Sequence, residues 1–124
     1  MNKPCLLAFV DDLFFRSQIE GLAEDKKMDF YFATQGEQLA QLAKTLSPSI
    51  IVLDLSGLDS EWLFRHISDI RNTRPNLPIV AFISHIQQAV RDRAEKYGCH
   101  YIFTKSELMK KLPDTFERIL RGGV

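Results

Sequence analysis

No stretch of this sequence stays apolar long enough to cross a bilayer as a helix, which takes about 20 residues. The opening MNKPCLLAFVDD holds an apolar run too short for a signal peptide and reaches two carboxylates at once. Charge of one sign is missing too. Sixteen Lys and Arg balance 16 Asp and Glu, so the chain lacks the basic surplus of a typical nucleic-acid-binding domain. There are only two cysteines, Cys5 and Cys99, with neither a CxxC pair nor metal-ligand spacing. Both read as reduced thiols packed as small apolar residues. Repeats, low-complexity tracts and linkers are absent. The 124 residues are 45% hydrophobic, which argues against disorder. The expectation is one soluble, cytoplasmic domain over residues 1–124, with no nucleic-acid partner and no membrane contact.

What is present alternates between short apolar runs and amphipathic stretches. LLAFV (6–10) stops at Asp11 and Asp12, and FFRSQIEGLAED follows with Phe15, Ile19, Leu22 and Ala23 at helical spacing. DFYFAT is rich in β-forming aromatics. GEQLAQLAKTL sets Leu39, Leu42, Ala43 and Leu46 on one face, and Pro48 closes that helix. SIIVLDL is the continuous apolar run of a strand buried on both faces. DSEWLFRHISDIRNT opens with Asp59 or Ser60 as a cap and carries Leu63, Ile67 and Ile70. IVAFIS is a further buried strand, IQQAVRDRAEKYG a helix ended by Gly98, and YIFT a last short strand. SELMKKLPDTFERIL reads as a helix interrupted at Pro113. Five β-α units in succession predict an α/β fold with a parallel sheet covered on both faces.

Such sheets bind ligands beyond the carboxyl ends of their strands. Asp11 and Asp12 follow the first strand, Asp54 ends the third, Ser84 and His85 follow the fourth, and Lys105 follows the fifth. If the first and third strands are neighbours, the three acids converge. Like charges repel there, and a divalent cation or a cationic side chain is the usual remedy. Mg²⁺ takes a few carboxylate oxygens, waters and a phosphate oxygen. A carboxylate beside Mg²⁺ and a lysine can act as a nucleophile toward phosphorus. The residues also leave plainer roles open: a helix N-cap at Asp12, a solvated Lys105, and Ser84 as a cap of the next helix. Trp62, Phe14 and Phe15 read as packing residues. His66 lies mid-helix and His100 in a turn, with no second ligand at metal spacing.

VDD (10–12), IIVLDL (50–55), LPIVAFIS (77–84) and GCHYIFTK (98–105), in this order and spacing, resemble a response-regulator receiver domain over essentially the whole chain. The resemblance implies a flavodoxin-like (βα)5 doubly wound fold, a receiver-like domain without an output domain, and bacterial two-component signalling. It implies that Asp54 is the phosphoacceptor. Asp11, Asp12, Asp54 and the backbone carbonyl of Ser56 would hold Mg²⁺, and Lys105 would pair with the phosphoryl group. It implies a histidine kinase or phosphotransfer protein as donor, and a downstream protein target on the face of the fourth helix, fifth strand and fifth helix. The chain would be no enzyme beyond its own phosphoryl transfer and hydrolysis.

Several positions depart from the family pattern. The fourth strand places Ile83 where receivers carry Thr or Ser, with Ser84 one residue later. A strand bulge would be needed to bring that hydroxyl to the site. Ile102 stands at the usual aromatic switch position, so both switch positions, Ile83 and Ile102, are aliphatic. Ser106 replaces the proline, with its cis peptide, that normally follows the lysine. LSGLDS replaces the usual Pro-Gly turn after Asp54. His85 is offered as an accessory group that titrates near neutral pH. These departures open an alternative: a pseudo-receiver, the same fold used as a phosphorylation-independent interaction module. A nucleotide or flavin binder would want a Gly- or Ser/Thr-rich loop after the first strand, where DDLFFRS stands instead.

Overall fold

The computed structural model describes residues 3–56, 61–84 and 88–122. Strands and helices alternate: β1 (Cys5–Phe9), α1 (Leu13–Asp25), β2 (Asp29–Phe32), α2 (Gly36–Leu46), β3 (Ile50–Asp54), α3 (Glu61–Thr73), β4 (Ile79–Ile83), α4 (Gln88–Lys96), β5 (Tyr101–Thr104) and α5 (Lys105–Leu120). The expected cap at Asp59 or Ser60, the Trp62 side chain and His85 lie outside the described residues. No described helix is long and apolar enough to cross a membrane.

The five strands form one parallel sheet in the order β2-β1-β3-β4-β5. This is the flavodoxin-like doubly wound arrangement read from the sequence. The chain reverses its direction of travel between β1 and β3, which makes their carboxyl ends the switch point. Strand side chains alternate between faces, and each face has its own core. Leu6, Ala8, Ile50, Val52, Val80 and Phe82 meet Ile19 and Ala23 of α1 and Leu108, Leu112 and Phe116 of α5. Leu7, Ile51, Leu53, Ile79, Ala81 and Ile83 meet α2, α3 and α4 through Leu39, Phe64, Ile67 and Ala94. The three central strands are therefore apolar on both sides, as SIIVLDL and IVAFIS suggested.

One expectation fails. Pro113 does not interrupt the last helix: α5 runs unbroken from Lys105 to Leu120 with Pro113 inside it. An interior proline costs about 3 kcal/mol in a free helix, because one backbone donor is lost and its ring crowds the preceding turn. Here Leu108, Leu112, Phe116 and Ile119 are all buried against the sheet, and burial of about 2 kcal/mol per large apolar side chain outweighs that cost.

The amino end of the sheet is tied by Arg71. Its guanidinium donates to the carbonyls of Arg74 (3.2 Å), Pro75 (2.8 Å) and Gly98 (2.6 Å), joining the end of α3 to the turn before β5. Gly98 sits at φ +107°, and a Cβ there would lie 2.7 Å from Arg71 Nε, so only glycine fits. Cys5 and Cys99 are free and buried. Burial pushes the Cys99 thiol up to about 12, against the opposing pull of Arg71. A thiol held protonated in this way is a poor nucleophile and metal ligand.

Candidate functional site

The site is built on the carboxyl ends of β1, β3 and β5. In the β1–β3 ladder Phe9 pairs with Leu53, so Val10 comes level with Asp54 and Asp11 follows one residue beyond. Both line a cleft of about 290 Å³ together with Phe9, Val10, Arg16, Ala33 and Thr34. Asp54 is half-buried, and its Oδ1 accepts a hydrogen bond from the Ser56 amide at 2.8 Å, which turns the chain sharply after the strand. Ser56 is half-buried, and its Oγ has no hydrogen-bond partner among the described residues.

Asp12 takes up the plainer role the sequence left open. It is the N-cap of α1, with Oδ1 accepting from the amides of Phe14 (2.9 Å) and Phe15 (3.3 Å). Its other oxygen, Oδ2, faces Lys105 Nζ at 3.7 Å. A carboxylate at a helix N-terminus meets both orphan amides and the positive end of the helix dipole. Asp12 therefore links α1, through its cap, to the lysine that begins α5.

Lys105 is held from two sides. Its ammonium lies 5.5 Å from the centroid of Phe15, and Phe15 in turn packs on Phe82, ring centroids 5.6 Å apart. Phe82 is the β4 partner of Asp54. The chain Asp54–Phe82–Phe15–Lys105 thus carries the central strand out to the site lysine. Phe15 is a packing residue, as expected, whereas Phe14 is 64% exposed and Leu13 75% exposed.

Sequence reasoning missed what fixes the start of α5. Thr104 forms a capping box with Glu107: the Thr104 hydroxyl accepts from the Glu107 amide at 3.3 Å, and the Glu107 carboxylate accepts from the Thr104 amide at 2.9 Å. The signal was present as TKSE, the T-x-x-E pattern that opens helices. Lys111 donates to the same carboxylate at 2.9 Å. Hydrogen bonds from Lys111, then from the Thr104 amide and hydroxyl, hold Glu107 down at about 2. A depressed carboxylate stabilises the fold fully above its ordinary value near 4.5 and loses that contribution as pH falls toward about 2. In acid unfolding curves between those limits, Glu107→Gln is expected to show a shallower loss of stability than the parent. Equal slopes would mean the box is not formed in solution.

The fourth strand places its residues plainly. β4 stays in unbroken register with β3 through Phe82 and with β5 through Ile83, which pairs with Thr104, so no bulge lies within it. Ile83 is 3% exposed and packs in the core under α3 and α4, while Ser84 is exposed beyond the strand end. Neither Ser84 nor Lys105 lines the Asp11–Asp54 cleft. Ile102 packs on the α2–α4 side and Tyr101 on the α1–α5 side. Ser106 enters the first turn of α5, its hydroxyl 3.0 Å from that of Thr104, and no described peptide bond is cis. Arg16 is a further residue the sequence reading passed over. It lies four residues after Asp12, hence on the same helix face, and its guanidinium stacks over Phe32 at 4.6 Å.

Whether these groups suit Mg²⁺ follows from the donors. Among the described residues no three His, Cys, Asp or Glu side chains gather into a metal cage. Asp12 is turned to the helix cap and to Lys105, which leaves Asp11 and Asp54 on the cleft. Two carboxylates, with water and a phosphate oxygen to complete the shell, is the kind of oxygen set Mg²⁺ takes. Asp11 and Asp54 would supply two such oxygens.

No family model matches the chain, and no curated protein matches it. Solved structures do match in fold. A response regulator from Thermotoga maritima superposes with a TM-score of 0.82 at 12% identity, over 97% of this chain and 99% of that one. A two-component response regulator of the LuxR family from Aurantimonas gives 0.80 at 22% identity, over 98% and 88%. A CheY-like protein, tadZ, from Pseudomonas aeruginosa gives 0.81 at 13% identity, over 94% and 99%. The fold is that of response-regulator receiver domains.

Proposed function

We propose that this chain is a receiver of two-component signalling whose Asp54 accepts a phosphoryl group. The observation that carries the reading is the meeting of Asp11 and Asp54 in one cleft at the β1/β3 switch point, with Asp12 and Lys105 paired beside it. In the transfer step an Asp54 carboxylate oxygen bonds to phosphorus while the bond from phosphorus to the donor's imidazole nitrogen breaks. The nitrogen keeps the bonding pair, and the product is an acyl phosphate. A histidine kinase or phosphotransfer protein is the donor class, and hydrolysis by water resets the carboxylate.

Lys105 supplies a compact positive charge toward the phosphoryl oxygens. The Asp12 ion pair at 3.7 Å orients it and the Phe15 ring limits its swing. Mg²⁺, held by Asp11, Asp54 and the Ser56 carbonyl with Asp12 behind them, would neutralise charge on the same oxygens. Output is contact with a downstream protein through the face of α4, β5 and α5. A modified Asp54 biases that face only by favouring one of its two states over the other, and with Ile83 and Ile102 at the switch positions that preference is carried by aliphatic packing.

The burial of Ile83 favours a second reading, a phosphorylation-independent interaction module, because no hydroxyl is offered from that position. Titration with beryllofluoride and Mg²⁺, followed by NMR, separates the two. The receiver reading expects saturable shifts that reach Lys105 and Ile83 and are abolished in Asp54→Asn. No shifts at saturating beryllofluoride would leave the interaction module.

A further inference from the structure

We infer that Arg16 is a second cation of the Asp54 site and anchors the phosphoryl group there, a role that rests on the phosphoacceptor reading above. Arg16 lines the same cleft as Asp11 and Asp54, whereas Lys105 does not. Its guanidinium carbon stands 4.6 Å from the Phe32 centroid. Stacking on an aromatic face fixes the plane of the group and leaves its N–H edges free to donate. Among the described residues Arg16 makes no ion pair, although two carboxylates share its cleft. Lys105, by contrast, already faces Asp12 at 3.7 Å.

A guanidinium stacked on Phe32, without an ion pair among the described residues and lining the cleft of the acceptor carboxylate, is arranged for charge that arrives later. A phosphoryl group on Asp54 adds negative oxygens to this cleft, and a guanidinium can grip two of them at once. Such a grip takes over the task that a hydroxyl at Ile83 cannot perform. The same positive charge repels a divalent cation at Asp11 and Asp54. Arg16 therefore acts in opposite directions on the two ligands, against bare Mg²⁺ and in favour of the phosphoryl group.

Arg16→Gln removes the charge and keeps most of the stem over Phe32, and Arg16→Lys keeps a charge without the fork. With beryllofluoride as the probe at fixed Mg²⁺, Arg16→Gln is expected to bind about tenfold more weakly than the parent and Arg16→Lys about threefold more weakly. Mg²⁺ alone is expected to bind Arg16→Gln about twofold to threefold more tightly. Equal beryllofluoride affinity in parent and Arg16→Gln overturns the role of Arg16 and leaves Asp54 as acceptor. No beryllofluoride binding by the parent overturns both. If Arg16→Gln melts early, Arg16→Lys decides alone: unchanged affinity there, with unchanged Mg²⁺ binding, overturns the anchoring role.

Discussion

Phe82→Ala lowers the unfolding free energy by about 3–5 kcal/mol, the usual result of emptying a fully buried aromatic site. Phe82 is wholly buried in the central β4, in register with Asp54 on one side and Phe103 on the other. Its ring lies against Phe15 at the top of the α1–α5 core. Removing it opens a cavity that neighbours cannot fill without breaking strand register. A domain of this size has roughly 5–15 kcal/mol in total, so the loss is a large share of it. Denaturant unfolding reads the change as a lower midpoint at constant slope. A loss below about 1 kcal/mol would mean that the core is not packed through Phe82.

Lys105→Ala has the opposite profile, a large effect on chemistry and a small one on stability. The rate of adduct formation at Asp54 is expected to fall about 100-fold, the scale for removing a cation or donor placed where charge develops. The Lys105–Asp12 pair is 29% and 38% exposed by side chain, so its loss costs at most about 1 kcal/mol of stability. Alanine at the first position of α5 also suits a helix, and the Thr104–Glu107 box that starts it is untouched. Adduct formation is followed by intact mass with a small phosphoryl donor, and melting is followed in parallel. An unchanged rate would make Lys105 a solvated residue with no part in the site.

These two variants mark which parts of the molecule were legible from the sequence. The unbroken apolar runs of SIIVLDL and IVAFIS told of strands buried on both sides, and the order of strands and helices followed from hydrophobic period with Pro48 and Gly98 as breaks. The convergence of Asp11 and Asp54 needed one topological assumption, that β1 and β3 are neighbours, and the sheet has that order. Pro113 misled because propensity is local, whereas the four buried residues of α5 that override it are a tertiary term. Asp12 could be a cap or a ligand on sequence grounds. Only the position of α1 against α5 shows that its two oxygens are divided between amides and Lys105. Arg16 went unremarked for the same reason: a charge four residues along a helix gains meaning only when β2 brings Phe32 beneath it.

The most direct test of Asp54 as acceptor is chemical location of the modified residue. The protein is exposed to a small phosphoryl donor with Mg²⁺, reduced with borohydride, which converts an aspartyl phosphate to homoserine, and mapped by peptide mass. The account predicts homoserine at position 54, lost when Mg²⁺ is withheld. Unreduced Asp54 at saturating donor, or reduction at Asp11 or Asp12 instead, would contradict it.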